Sequence, residues 1–463
     1  MNAIVPELIL TAAALALFLL EAFRPGRKAP AVLLAALGLA GAAGALGGTV
    51  DGCAWDFLAF DAATRYLKGL ALIAVGLVSV FSATFPAFQR KDFSWGTFFG
   101  LLLLSTVGLF FMMSARDILL LLIAIELVSL TSFVLTGILR EDRRSSEAAI
   151  KYFLVGAFSA GLLIYGFSIL YGLTGTTRID ALLTATVDLP ALPLTGALFF
   201  ILAGFGFKLA LAPFHMWAPD VYEGAPTPVT AYLSVGPKAA AFGLLLHVLP
   251  NHGALHLTPL LAALSALTMT VGNLAALRQT NVKRLLAYSS VAQMGYVLMG
   301  FTAAGNNGAR SVLVYLSGYV FMNLGAFASV LAMGQESKTE SIDGFKGLAQ
   351  RSLPLALTTM FFMLSLTGVP PFIGFIGKFS LFSAVLQSPG LLWLAVVAAV
   401  NSVVSFAYYF SIVRAMFFDP NERPAPLSFS PALAGCLALT GVVTAAVGLF
   451  PNTFLLLVQK VLP

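Results

Sequence analysis

The chain has 463 residues, 59% of them apolar and only 10% charged, with a mean hydropathy of +0.93 and a formal net charge of +6. That composition excludes a soluble globular protein and a disordered one, and it describes a polytopic integral membrane protein. The positive balance and a pI near 9.3 do not indicate a nucleic-acid surface, because Lys and Arg are spread over many short connections rather than clustered.

About 20 apolar residues make one helical span, and in lipid only helices or closed barrels satisfy their own backbone. The long, unalternating apolar runs select helices. Fourteen spans are predicted near residues 4–22, 30–48, 66–86, 96–113, 117–138, 149–172, 194–217, 227–249, 256–277, 284–302, 310–334, 353–387, 390–417 and 430–450. The first is a retained helix rather than a signal peptide: it lacks a basic start and a small-residue cleavage site, and Arg24, Arg27 and Lys28 follow its apolar run.

Short cytoplasmic loops carry the excess of Lys and Arg. Alternate connections, with the span ends that flank them, divide 17 to 6: Arg24, Arg27, Lys28, Arg90, Lys91, Arg140, Arg143, Arg144, Lys151, Arg278, Lys283, Arg284, Lys338, Lys346, Arg351, Arg414 and Arg423 on one side, and Arg65, Lys68, Arg116, Arg178, Arg310 and Lys460 on the other. Both termini are therefore expected on the outer side. The three remaining lysines, Lys208, Lys238 and Lys378, lie inside predicted spans, as does Glu126. A charge at bilayer depth costs about 2.5–3.5 kcal/mol on insertion scales, and its default explanation is a proton or ion path.

Each of the four has a functional and a structural interpretation. Glu126, mid-span in LLLLIAIELVSLTSF, has no short route to either interface and needs a buried partner, for which Lys208 is the natural candidate. Lys238 follows Pro237 about a third of the way along its span; the alternative is a lysine whose stem snorkels to the interface. His247 lies nine residues further on, about 13–14 Å along the helix axis, which suits a water-bridged relay as well as an ordinary polar contact. Lys378 has no acidic residue in its own span or the neighbouring ones. Ser289, Ser290, Gln293, Tyr296, Tyr315 and Asn323 either order bridging waters between the lysines or act as helix-packing glue.

Other polar residues point nowhere specific. Cys53 and Cys436 give no metal spacing and no expected disulfide, and His215, His247, His252 and His256 form no ligand cluster. Asp220 and Glu223 are expected to cap helices rather than guide proton entry, and Asp51, Asp56 and Asp61 to sit in a solvated outer connection rather than an ion site.

Two spans carry breaks. In the seventh, Lys208 precedes Pro213 in FKLALAPFHMWAPD, and in the twelfth, Pro370, Pro371, Gly374 and Gly377 precede Lys378 in LTGVPPFIGFIGK. Proline removes a backbone donor and clashes with the preceding turn, so both helices should break, and the freed groups must be met by water or protein. The breaks lie five spans apart. An odd-numbered unit re-enters the membrane from the opposite face, so spans 4–8 and 9–13 are expected to be inverted repeats. The predicted fold is all-α integral membrane, divided into an N-terminal three-helix segment (1–95), two antiporter-like repeats (96–250 and 251–418) and a C-terminal helix (419–463).

The stretches FKLALAPFHMWAPDVYEGAPTPVTAYLSVGPKAAAF, NVKRLLAYSSVAQMGYVLMG and GVPPFIGFIGKF, in that order, resemble the antiporter-like membrane subunits of respiratory complex I, and the resemblance covers essentially the whole chain. Within that family one sister subunit usually has a glutamate where Lys378 stands, two have a histidine where Gln293 stands, and one continues into a long lateral helix, whereas this chain ends at Pro463. These departures favour the remaining branch. The resemblance implies a multi-pass protein of the bacterial inner membrane that pumps protons while partner subunits oxidise NADH and reduce quinone. It maps Glu126, Lys208, Lys238 and Lys378 onto the family's charged positions. NADH, FMN, iron–sulfur clusters and quinone would belong to partner subunits, since this chain has neither a glycine fingerprint after a strand nor a cysteine set. Expected partners are the sister antiporter-like subunits, small membrane subunits and the bilayer. A multi-subunit cation/proton antiporter or membrane-bound hydrogenase subunit, and a non-pumping scaffold pinned by its charges, are the alternatives.

Overall fold

The computed structural model describes residues 4–462 except 50–51, 55–56, 186–188, 249–256, 304, 338–339, 421–426 and 428. Asp51, Asp56, His252, His256, Lys338 and Arg423 lie outside the described residues. The chain opens with α1 (Val5–Phe23) and α2 (Lys28–Gly47), a small antiparallel hairpin of β1 (Gly52–Ala54) and β2 (Leu58–Phe60), and α3 (Ala62–Thr84). There follow α4 (Trp95–Ser114), α5 (Ile118–Thr136), α6 (Arg143–Thr174), α7 (Ile179–Ala185), α8 (Ala191–Leu209), α9 (Trp217–Gly224) and α10 (Thr227–Val248). The remainder comprises α11 (Thr258–Ala276), α12 (Val282–Thr302), α13 (Gly305–Ser337), α14 (Leu348–Arg351), α15 (Leu353–Thr367), α16 (Ile373–Leu386), α17 (Leu392–Phe417), α18 (Pro431–Leu449) and α19 (Pro451–Val461).

Among the described residues twelve helices are long and apolar enough to cross a membrane, and α12 with the broken pair α15–α16 completes the fourteen expected spans. The predicted C-terminal helix is two helices, α18 and the short α19. α4 packs on α5 and α10, α5 on α6, and α6 on α8; α11 packs on α12 and α17, α12 on α13, and α13 on α15 and α16. The same neighbour relations thus recur in two five-span units of opposite entry, which is the inverted repeat.

Burial is graded. The apolar stretches of α10 and α13 are 94% buried, against 33% for α1, α2 and α6, so α10 and α13 run through the centre and the others present Leu, Ile and Phe outward. This is the arrangement expected where lipid replaces water on the outside.

Both breaks are present, and their freed groups are met by protein. α8 ends at Ala210, in the left-handed region at φ 56°, followed by a cis Ala212–Pro213 bond. Trp217 Nε1 donates to the Phe207 carbonyl (3.0 Å), and the Ala212 amide donates to Thr268 Oγ1 on α11 (3.0 Å). α15 ends at Gly368 (φ 92°), and Pro370–Pro371 is cis. Gly374 then approaches so closely that a Cβ there would run into the Ser365 carbonyl, and its amide donates to Ser365 Oγ (3.1 Å).

One expectation needs correction. α3 starts at Ala62 rather than near 66, which makes Lys68 its seventh residue, fully buried and paired with Glu7 of α1 at 2.6 Å. Lys68 is therefore a buried residue within its span rather than an outer span-end residue, and three lysines do not exhaust those inside the spans. The helix starts earlier because Asp61 caps it, accepting from the Thr64 amide at 2.7 Å.

Candidate functional site: a buried polar axis

Lys208, Lys238 and Lys378 are 7%, 1% and 5% exposed, so none of them snorkels. Lys208 sits in the last turn of α8, where the break leaves the helix open, and its Nζ donates a short hydrogen bond to Ser129 Oγ of α5. Ser129 lies one turn beyond the half-buried Glu126, on the same face of α5. Glu126 acts on Lys208 through its charge, but the serine takes the lysine's hydrogen bond. The expected pair is thus a three-residue group.

Lys238 leaves α10 one residue after Pro237. Its Nζ donates to Ser290 Oγ of α12 (2.6 Å) and lies 5.5 Å from the Tyr222 ring centre. Ser290 Oγ shares a 2.6 Å hydrogen bond with the Tyr319 hydroxyl of α13, and the Tyr319 ring stacks on Tyr315, with centroids 6.4 Å apart. The Tyr315 hydroxyl donates to Gln293 Oε1, Gln293 Nε2 reaches the Tyr409 hydroxyl (3.1 Å), and Tyr409 in turn bonds Ser289. Tyr408, whose ring centre is 4.4 Å from that of Tyr409, donates to Asn273 Oδ1 (2.9 Å). Asn273 Nδ2 bonds the Tyr296 hydroxyl (3.4 Å), which accepts from Ser402 (3.3 Å). Lys378 closes the run: its Nζ donates to Ser402 Oγ (3.3 Å) and to the Thr367 carbonyl freed by the α15 break (2.8 Å), and lies 4.4 Å from the Tyr296 ring centre.

Hydroxyls and side-chain amides both donate and accept, so each hydrogen-bonded segment of this run can order protons, and tyrosine ring contacts set the segments side by side at two places. The structure brings Ser289, Ser290, Gln293, Tyr296 and Tyr315 into it, whereas Asn323 instead donates to Ser234 on α10 (2.6 Å). Tyr319, Tyr408, Tyr409, Asn273, Ser402 and Ser129 went unnoticed in the sequence. The only signal they offered was polarity inside apolar helices. The two broken spans also differ in use: Lys208 lies before its break and Lys378 after its own.

His247 Nδ1 contacts the Gly243 carbonyl (2.8 Å), and Nε2 faces Asp61 at 3.6 Å. Burial opposes ionisation of Asp61, but the adjacent His247 ring and the hydrogen bond from the Thr64 amide outweigh it and hold the carboxyl well below the usual range. Asp61 thus caps α3 from the connection expected on the outer side, with its side chain partly exposed. Asp220 and Glu223 do not cap α9. Asp220 accepts from Lys151 (2.8 Å) and Arg284 (2.7 Å), and Glu223 from Arg284 (3.0 Å), which ties α9 to α6 and α12. No His, Cys, Asp and Glu grouping that could hold a metal ion occurs among the described residues.

The family model for the NADH:quinone oxidoreductase/Mrp antiporter transmembrane region matches residues 115–405, which include Glu126 and all three axial lysines. The chain is 41% identical to NADH-quinone oxidoreductase subunit N of Trichlorobacter lovleyi over 98% of this chain and 94% of that one. It is 40% identical to the subunit of the same name from Nitrosomonas europaea over 85% and 82%. A chain of respiratory complex I from Thermus thermophilus superposes with a TM-score of 0.83 at 34% identity, covering 97% of this chain and 98% of that one. The Mrp complex of Dietzia sp. shares the fold, with a TM-score of 0.86 at 21% identity over 99% and 96%. The axis is thus carried by a member of the antiporter-like membrane proteins, and the chain belongs to the NADH-quinone oxidoreductase subunit N family.

Proposed function

We propose that this chain carries protons across the membrane as the subunit N of an NADH:quinone oxidoreductase, with the lysine axis as the path. The observation that carries the proposal is the polar run from Lys238 to Lys378, enclosed in helices that are otherwise apolar. A change of charge in a neighbouring membrane subunit alters the Glu126, Ser129 and Lys208 group. That change moves a proton to Lys238, along the hydroxyls to Lys378, and out. His247 acts as a side relay. Driving one charge against 100 mV takes about 2.3 kcal/mol, which must arrive from the redox reaction by electrostatic coupling. The chain itself holds no redox group in this scheme; NADH, FMN, iron–sulfur clusters and quinone are handled by partner subunits. The basic connections face the inner side of a bacterial membrane and both termini the outer side.

The test is NADH-driven proton pumping in membrane vesicles carrying Lys208→Ala, with assembly followed on a native gel. Full assembly with sharply reduced pumping and NADH oxidation is the expected result. Normal pumping in an assembled complex would assign Lys208 a structural role and sink the path.

A further inference from the structure

The N-terminal helices hold an ion pair that the axis does not use. Glu7, in the first turn of α1, and Lys68 of α3 are both buried, with Lys68 Nζ donating to Glu7 Oε1 at 2.6 Å. Lys68 also stands 4.5 Å from the Phe60 ring centre and 5.4 Å from that of Phe110. Taking two charges out of water costs several kcal/mol per ion, repaid only when the remaining lone pairs are satisfied. Here they are not: Glu7 Oε2 is buried without a hydrogen-bond partner among the described residues. A buried carboxylate oxygen without a protein partner is an atom to which a proton can bind. The pair also lies outside the residues matched by the family model.

The pair is connected. Asp61, Thr64 and Lys68 follow at intervals of three and four and so line one face of α3, with the Asp61 charge acting on Lys68. Asp61 Oδ2 lies 3.6 Å from His247 Nε2 and 3.8 Å from the Arg116 guanidinium. His247 belongs to α10, the helix of Lys238. α3 and α10 are so close that a Cβ on Gly243 would fall 2.6 Å from Leu67 Cδ1. Polar side chains therefore run from Glu7 through Lys68, Asp61 and His247 onto the helix that carries the middle lysine.

We propose that Glu7 is a further proton-binding site of this chain, with Lys68 as its fixed counter-charge and Asp61 and His247 linking it to the aqueous face and to α10. The assignment rests on the lysine axis being a proton path. In the step, an O–H bond of a hydronium ion arriving past Asp61 breaks, leaving water, and an O–H bond forms at Glu7 Oε2. The pair goes from neutral to a single positive charge, Lys68 remains an ammonium, and the reverse step returns the proton to water.

Two variants of the assembled complex test it in membrane vesicles, with protons pumped per NADH oxidised measured beside a native gel. Glu7→Gln/Lys68→Met removes both charges at similar volume, a replacement buried pairs often tolerate. Lys68→Arg keeps a permanent counter-charge. The expected result is loss of pumping per NADH in the double variant and its retention in Lys68→Arg. Wild-type pumping in the double variant overturns the proposal, and so does loss in Lys68→Arg, because Lys68 would then be the titrating group. A double variant that fails to assemble assigns the pair to packing and also overturns it. Lys208→Ala run alongside separates the two ideas: lost pumping there with normal pumping in the double variant sinks only the Glu7 site, whereas normal pumping in Lys208→Ala sinks the axis.

Discussion

At the scale of single residues, the axis depends on groups that are small and individually replaceable. Tyr319→Phe deletes one hydroxyl between Ser290 and the Tyr315 ring while keeping the stacked ring, so assembly should be normal and pumping per NADH reduced. Gln293→Leu is more costly, because Gln293 Nε2 also supplies a donor to the Leu366 carbonyl freed by the α15 break (2.9 Å). A buried acceptor left unpaired costs about 1–3 kcal/mol, which should appear as a lower melting temperature of the assembled complex as well as lost pumping. Asp61 sets a pH dependence whose sign follows from its lowered pKa. Its contribution to stability is fully present above the unfolded carboxylate value and is lost as pH falls through the still lower folded value. Asp61→Asn keeps a side chain that can cap α3 but removes the charge. Its melting temperature should lie below wild type by the same margin from pH 8 down to about pH 5, and the gap should close only in stronger acid, below the usual carboxylate range. A gap that closes between pH 8 and pH 6 would contradict this assignment. The three lysines and Glu126 were legible in the sequence because charge is rare in apolar runs. Ser129 was not, because the residue that meets Lys208 is chosen by how α5 is rotated against α8.

At the scale of elements, the broken helices do the organising. The Thr367 and Leu366 carbonyls are free to meet Lys378 and Gln293 because α15 stops at Gly368, and α16 can resume beside them because Gly374 brings no Cβ against Ser365. Gly374→Ala should push α16 away from α15 and reduce the amount of assembled complex on a native gel, with pumping falling by at least the same proportion; unchanged assembly would show that the contact is not needed. The breaks were legible, since proline inside an apolar span has few other outcomes. The partners of the freed groups were not: Trp217 and Thr268 satisfy the α8 break from different elements, one of them in the second repeat. Asp220 and Glu223 were misassigned for a related reason. Their place in the stretch after the seventh span suggests caps, yet that stretch folds as α9, packing sets Lys151 and Arg284 against them, and cations outcompete backbone amides for a carboxylate.

At the scale of the molecule, the proposed topology of fourteen spans puts both ends of the chain on one face, opposite the basic connections. Cysteine introduced at Lys460 should react with an impermeant thiol reagent in intact cells, and cysteine at Arg143 only after the membrane is opened; the reverse pattern would invert the topology. The number of spans, the repeat, the depth of the lysines and the family were determined by the sequence itself, because hydropathy, proline and buried charge act locally and leave a linear record. Only the tertiary structure decided that Glu7 meets Lys68, that Ser289 meets Tyr409 across 120 residues, and that hydroxyls, amides and tyrosine rings line up between Lys238 and Lys378. The physical reason is that α10, α12 and α13 are buried nearly all round. A helix enclosed on every side carries no polar stripe to show which way it faces, so its partners are set by packing against helices distant in sequence.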